Sequence, residues 1–369
     1  MKLVVFGLTM SSSWGNGHAT LWRGLAKALG RAGHRFVFFE RDVPYYAATR
    51  DRTEIEGGRL HLYSSWQETL ELARRELADA DAALVTSYCP DGVAASDLVL
   101  ESHTTVRGFY DMDTPITLER AAAGERIEYM PAHGLGDFDV VLSFTGGEAL
   151  QRLCRVFGAR HALPLYGSVD PEVHRPVGPD EHFRGDFSYI GTWAANRQHS
   201  VERFFLEPAR RMPQRRFVLA GSQYGADFPW QPNLYYVRHL PPSDHPAFLC
   251  SSPLTLNVTR APMAALGYCP SGRLFEAAAC GVPCVSDWWP GLEAFLEPGR
   301  EILVARSSED AIDAVSRSRD DLARIGRAAR ERVLAEHTAD FRARELVDIL
   351  DLFARPGALT AEAGSVHGA

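Results

Sequence analysis

The sequence predicts an α/β protein: two Rossmann-like, doubly wound domains with parallel sheets, facing each other across a cleft. Three observations carry this. Apolar strand runs alternate with amphipathic helices in two successive sets. A stretch rich in Pro, Gly and charge separates the sets. The 369 residues exceed one comfortable core, and 46% hydrophobic content suffices for two.

The first set opens with a buried-strand run, Leu3–Leu8, and a small, polar loop, Thr9–Gly17. A helix over Thr20–Ala32 places Leu21, Leu25, Ala28 and Leu29 on one face and stops at Gly33. Strands follow at Arg35–Glu40, Leu60–Tyr63, Ala83–Ser87, Thr104–Tyr110 and Asp139–Phe144, with helices at Trp66–Ala80 and Gly147–Phe157. Residues Leu165–Pro176 and Val177–Gly185 read as the interdomain connection.

The pattern then restarts. Strands are expected at Phe187–Ile190, Arg216–Ala220, Leu234–Val237, Leu254–Val258, Val282–Ser286 and Glu301–Val304. Helices are expected at Ser200–Arg211, Glu309–Ser318, Asp320–Glu336 and Ala339–Phe353. The expected division is residues 1–175, 176–345 and a final 346–369 comprising a helix end and a frayed tail from Arg355.

Charge narrows the function classes. A net charge of −8 argues against nucleic acid or an anionic membrane as partner. Lys2 and Lys27 are the only lysines, so an anionic ligand must be gripped by arginine, backbone amides or helix ends. The six cysteines contain no CxxC pair, which argues against a zinc cluster built on them and for reduced thiols of a cytoplasmic protein. No apolar run approaches the ~20 residues of a membrane helix, and the N-terminus does not read as a signal peptide.

The stretch richest in chemistry is Ser271–Ser286. Ser271 and Gly272 leave N–H groups free at a helix N-terminus, where a diphosphate is stabilised. Glu276 falls one turn later, within reach of a sugar hydroxyl. Gly281 and Pro283 end that helix. An ordinary helix–strand turn would spell the same.

Other candidates sit at strand ends, where doubly wound sheets bind ligands. The first loop offers Asn16, Gly17 and His18, although Asn16 or Thr20 capping a helix is the plainer alternative. Asp111 and Asp113 end a strand and can orient or deprotonate an acceptor hydroxyl. Turn capping by Asp113 before Thr114-Pro115 competes with that reading, and no companion cluster suggests a metal. Glu40-Arg41-Asp42 closes the second strand, Arg41 and Asp42 suiting an acceptor side or a surface ion pair. In the second set Arg197, Arg238, His239, Arg260 and Arg273 occupy corresponding loops and suit diphosphate.

On these residues the chain resembles GT-B nucleotide-sugar glycosyltransferases, specifically the CgeB-like, spore-maturation-type branch. The matching stretches are Ser11–Arg23, Phe38–Tyr46, Tyr110–Thr117, Asn257–Trp289, the connection Leu165–Pro176 and Ala328–Thr338. The resemblance implies an N-terminal domain for an acceptor (glycan, lipid, peptide or small metabolite) and a C-terminal domain for a UDP-, GDP- or dTDP-linked donor. It implies metal-independent transfer with no further cofactor, by retention if Glu276 matches the second glutamate of an E-x7-E motif, which holds the ribose. Tyr268 stands where the first glutamate would be. Alternatives are a GT-B-fold epimerase and a binding protein without turnover.

Overall fold

The structure, a computed structural model, describes residues 1–355. The expected frayed tail lies outside them but for Arg355. The chain forms two compact units, one of residues 1–166 joined by Ala339–Arg355, the other Gly167–Thr338.

In the first unit the elements run β1 (Lys2–Gly7), α1 (His18–Arg31), β2 (Arg35–Arg41), α2 (Pro44–Ala47), β3 (Arg59–Tyr63), α3 (Trp66–Leu77) and β4 (Ala82–Thr86). They continue through α4 (Gly92–Glu101), β5 (Val106–Asp111), α5 (Thr114–Ala122), β6 (Val140–Ser143), α6 (Glu148–Phe157) and β7 (Ala162–Pro164). The strands pair in the order β3-β2-β1-β4-β5-β6-β7, all parallel. Helices cover both faces of such a sheet, so β1 and β4 are buried at every residue.

The second unit contains β8 (Phe187–Ile190), α7 (Ala195–Val201), α8 (Glu207–Arg211), β9 (Phe217–Gly221), β10 (Leu234–Arg238), α9 (His245–Cys250) and β11 (Thr255–Asn257). It closes with α10 (Ala261–Leu266), α11 (Gly272–Ala279), β12 (Cys284–Asp287), β13 (Leu303–Ala305), α12 (Ser308–Ser316) and α13 (Arg319–Glu336). The order β10-β9-β8-β11-β12-β13 repeats the 3-2-1-4-5-6 pattern of the first sheet. In each unit the order reverses beside the first strand, and the crevice outside the carboxyl ends there is where such sheets take ligands.

Local chemistry fixes the ends. Ser307 and Asp310 form a reciprocal capping box on α12, and Ser318 caps α13. Gly281 takes φ +72° after α11, and a Cβ on Gly326 would lie 2.1 Å from the Gly281 carbonyl oxygen, so α13 packs directly on that turn.

The last helix, α14 (Ala339–Ala354), returns to the first unit. Ala339, Ala343, Leu346 and Leu350 join Leu21, Trp22 and Leu25 of α1 in one buried cluster. Burying the two leucines alone contributes about 4 kcal/mol. The division therefore differs from the expected one at both ends. It falls at Tyr166/Gly167 rather than 175/176, because the Pro-rich stretch packs into the second unit through a Val169–Thr338 bridge. The final helix completes the first core. The helix expected at Ser200 starts at Ala195 and runs through a π-helical turn at Glu202–Leu206 into α8.

Candidate functional site

The loop from β1 to α1 is shaped by a buried glutamate. Glu40, at the sixth position of β2, accepts hydrogen bonds from Thr9 Oγ1, the Met10 and Ser11 amides and Ser11 Oγ at 2.5–2.9 Å. Arg23 donates to the Met10 carbonyl at 2.7 Å and grips Asp51 with both terminal nitrogens. Sequence reasoning placed Glu40 at a strand end but assigned it no part in holding the loop. Arg41 pairs with Asp91 and Asp42 with Arg50, so both make ion pairs within the unit.

Asn16 turns its amide inward. Its Oδ1 accepts from the Ala19 amide at 3.2 Å and its Nδ2 donates to the Trp14 and Ser12 carbonyls. It caps α1, the plainer of its two readings. Gly17 follows with φ −94°, and a Cβ there would meet nothing within 4 Å. Neither packing nor backbone geometry demands glycine; close approach by a ligand would.

His18 opens α1 with its Nε2 2.8 Å from Asp113 Oδ2, just past β5. Its Nδ1 is buried without a hydrogen-bond partner among the described residues. Asp113 starts α5 without capping it through its side chain.

Asp111 is fully buried. Its Oδ1 accepts from the Asp113 amide and Thr117 Oγ1 at 3.1 Å each, and its Oδ2 has no hydrogen-bond partner among the described residues. Burial pushes its carboxyl up to about 6, against the pull of those donors. The expectation that Asp111 meets an acceptor hydroxyl is thereby corrected: with no exposed surface, it positions the Asp113 turn.

In the second unit Ser271 caps α11, its Oγ accepting from the Arg273 amide at 3.3 Å. Gly272 again leaves the space of a Cβ open. Arg273 reaches along the helix to Glu276 and donates to His245 Nδ1 at 3.3 Å. His174 Nε2 stands 3.9 Å from Glu276 Oε1, and both its ring nitrogens lack hydrogen-bond partners among the described residues at 5% exposure.

Burial opposes the charge of Glu276, but Arg273 and the flanking imidazoles outweigh it and bring the carboxyl down to about 2. Burial, then Arg273, lowers His245 to about 3, and burial lowers His174. Both imidazoles are neutral at neutral pH, so Arg273 carries the counter-charge. Neither histidine was singled out from sequence.

The remaining candidates take strand-end positions. Arg197 lies in the first turn of α7 rather than on a loop, its Nε buried without a hydrogen-bond partner among the described residues. Burial raises the pKa of the Tyr189 hydroxyl, and the positive charges of Arg197 and Arg273 oppose that rise. Arg238 ends β10 exposed, His239 follows at φ +57°, and Arg260 precedes α10. Asp287, pushed up to about 6 by burial, holds the β11 loop through the Thr259 amide and hydroxyl.

Among the described residues four non-glycines have positive φ: Tyr88, Gln223, His239 and Tyr268. The first three lie just past the carboxyl ends of β4, β9 and β10, and Tyr268 lies shortly before α11. Strain of about 1–3 kcal/mol each persists only where surroundings over-determine it.

Residues 197–348 match the family described as Glycosyl transferase-like. Nearly the whole chain superposes on solved enzymes of one architecture. Sucrose-phosphate synthase from Thermosynechococcus elongatus covers 96% of this chain and 99% of its own at 15% identity, TM-score 0.68. HepE of Anabaena, solved with UDP-glucose, covers 95% and 99% at 11% identity, TM-score 0.67. An α-glucosyltransferase, solved with UDP-glucose and DNA containing an abasic site, covers 95% and 99% at 12% identity, TM-score 0.70.

The fold is GT-B. No curated protein sequence matches the chain. The GT-B assignment agrees with the two parallel α/β units, and the matched segment contains Arg197, Arg238, Arg260 and the whole of α11. No helix among the described residues is long and apolar enough to cross a membrane.

Proposed function

We propose that this GT-B chain is a CgeB-like glycosyltransferase, moving a sugar from a nucleoside diphosphate to a hydroxyl-bearing acceptor. The observation that carries the reading is the start of α11. There Ser271, open Gly272, Arg273 and Glu276 combine a helix N-terminus, a guanidinium and a carboxylate at a sheet's carboxyl edge. Amides and arginines take the diphosphate, and Glu276 turns from Arg273 to the ribose.

In the reaction the bond from sugar C1 to the diphosphate oxygen breaks and the acceptor oxygen bonds to C1. The second unit stabilises charge growing on the leaving diphosphate with Arg197, Arg260 and Arg273, exposed Arg238 and His239 adding to the same edge. Those groups replace a divalent ion in this reading. In the first unit His18, oriented by Asp113, takes the acceptor proton. Glu276 as the surviving half of an E-x7-E pattern favours retention, and the free thiols favour a cytoplasmic setting.

A thermal-shift screen against UDP-, GDP- and dTDP-sugars tests the donor class. A ligand at a hundred times its Kd stabilises by about 2.7 kcal/mol, and UDP compounds are expected to register. A flat response to all three would reject the reading. Glu276→Ala should then weaken nucleotide binding at least tenfold by calorimetry, with unchanged affinity removing its ribose role. Tyr268, exposed in the first glutamate's place, favours a second reading, a nucleotide-sugar binder without turnover. Donor hydrolysis measured with and without acceptor separates the two.

A further inference from the structure

We propose that His174, His245 and Glu276 form a zinc-binding site in the second unit, and that zinc there competes with the nucleotide donor. The competition rests on the donor reading above; the metal site does not.

The three side chains converge from the segment before β8, from α9 and from α11. His174 Nε2 and His245 Nδ1 stand 3.9 and 3.8 Å from the Glu276 oxygens, and one atom from each residue lies within 4.8 Å of the others. Ligands about 2.0–2.1 Å from a tetrahedral zinc sit roughly 3.4 Å apart, so the set closes by a contraction of up to about 1.4 Å. Two imidazoles and a carboxylate are a donor set zinc accepts, leaving a fourth position for water.

One of the ligand atoms is already unprotonated. Arg273 donates to His245 Nδ1, which fixes that nitrogen as the unprotonated one. His174, 5% exposed, has both ring nitrogens unpartnered among the described residues beside Glu276, a costly arrangement unless something binds there.

Arg273 is the competing cation. Its guanidinium lies against two of the three ligands, so zinc must displace it. Its Nε is buried without an acceptor among the described residues, so outward rotation gives up little and lets that N–H reach water. A dication then replaces a monocation beside the carboxylate.

Calorimetry of the full chain, stripped with a chelator and titrated with zinc chloride at neutral pH without nucleotide, tests the site. One zinc per chain with micromolar affinity is expected, magnesium giving no heat. His174→Phe, which keeps a buried ring and removes both nitrogens, should weaken zinc at least tenfold. Arg273→Ala should tighten it several-fold. Should His174→Phe fold poorly, Glu276→Gln serves instead, and cobalt(II) absorption reports the ligand set directly. Absence of saturable binding, or equal binding by wild type, His174→Phe and Glu276→Gln, overturns the proposal. Because no nucleotide is present, that failure leaves the donor reading standing, and failure of donor binding leaves the zinc result standing.

Discussion

His18 Nε2 lies 2.8 Å from Asp113 Oδ2, tying the first turn of α1 to the turn leaving β5. The bond fixes the ring and leaves Nδ1 as its uncommitted atom. His18→Ala and Asp113→Asn should each lower turnover by about 10²–10⁴-fold while nucleotide affinity stays within twofold. Steady-state rates beside calorimetry would show it. Full turnover in either variant would remove the pair from the chemistry.

Asp111 gives a pH prediction. Its folded pKa of about 6 exceeds the ordinary 3.8, so between these values the native state holds more protons than the unfolded chain. Its contribution is full below pH 4 and is lost as pH rises through 6. Asp111→Asn should remove this fall, making the variant roughly 2–3 kcal/mol less sensitive across pH 4–7. Denaturant midpoints at several pH values would reveal it, and parallel profiles would contradict it.

The two open glycines should separate stability from binding. Gly17→Ala and Gly272→Ala place a methyl where nothing lies within 4 Å, so melting should be unchanged or up to about 1 kcal/mol better. Nucleotide binding or turnover should fall several-fold in each. Gly57→Ala is the contrast: its Cβ would lie 2.2 Å from the Ala26 carbonyl oxygen at φ +83°, and the fold should suffer instead.

Glu40 should matter before any substrate arrives. Glu40→Ala strands the buried donors of Thr9, Met10 and Ser11, a loss of at least about 3 kcal/mol. Hydrogen exchange should quicken across residues 8–17. Unaltered exchange there would mean the loop is held by Arg23 and Asp51.

Alternation of strand and helix made both sheets legible in the sequence, most boundaries shifting by one to three residues. Three helices of the first unit, α2, α4 and α5, were not, nor was the short strand β7. In α4 the run Val93-Ala94-Ala95 followed by Leu98-Val99-Leu100 shows no clean polar face, so periodicity is weak. In α5 the Thr114-Pro115 start reads as a turn, although proline suits the first helical position.

The site was legible where one local segment supplies it, as at Ser271–Glu276. It was not where distant segments meet. His174 sits in what reads as a linker and His245 in a six-residue helix, and neither spelling shows that folding brings them to Glu276. The opposite error befell Asp111: its place at a strand end suggested exposure, and the side chain points into the unit.

Because α14 closes the first core, the order of synthesis departs from the order of completion. The seven strands of that sheet leave the ribosome early, yet the side of α1 that meets α14 stays uncovered until Ala339–Ala354 emerge. At about 5–20 residues per second, making the intervening second unit takes roughly ten to thirty seconds. Throughout that interval the nascent first half leaves the side of α1 around Gly24, where Ala339 packs, open to whatever chaperone or stray chain is near, so a premature stop before Ala339 would yield an aggregating fragment rather than a working half.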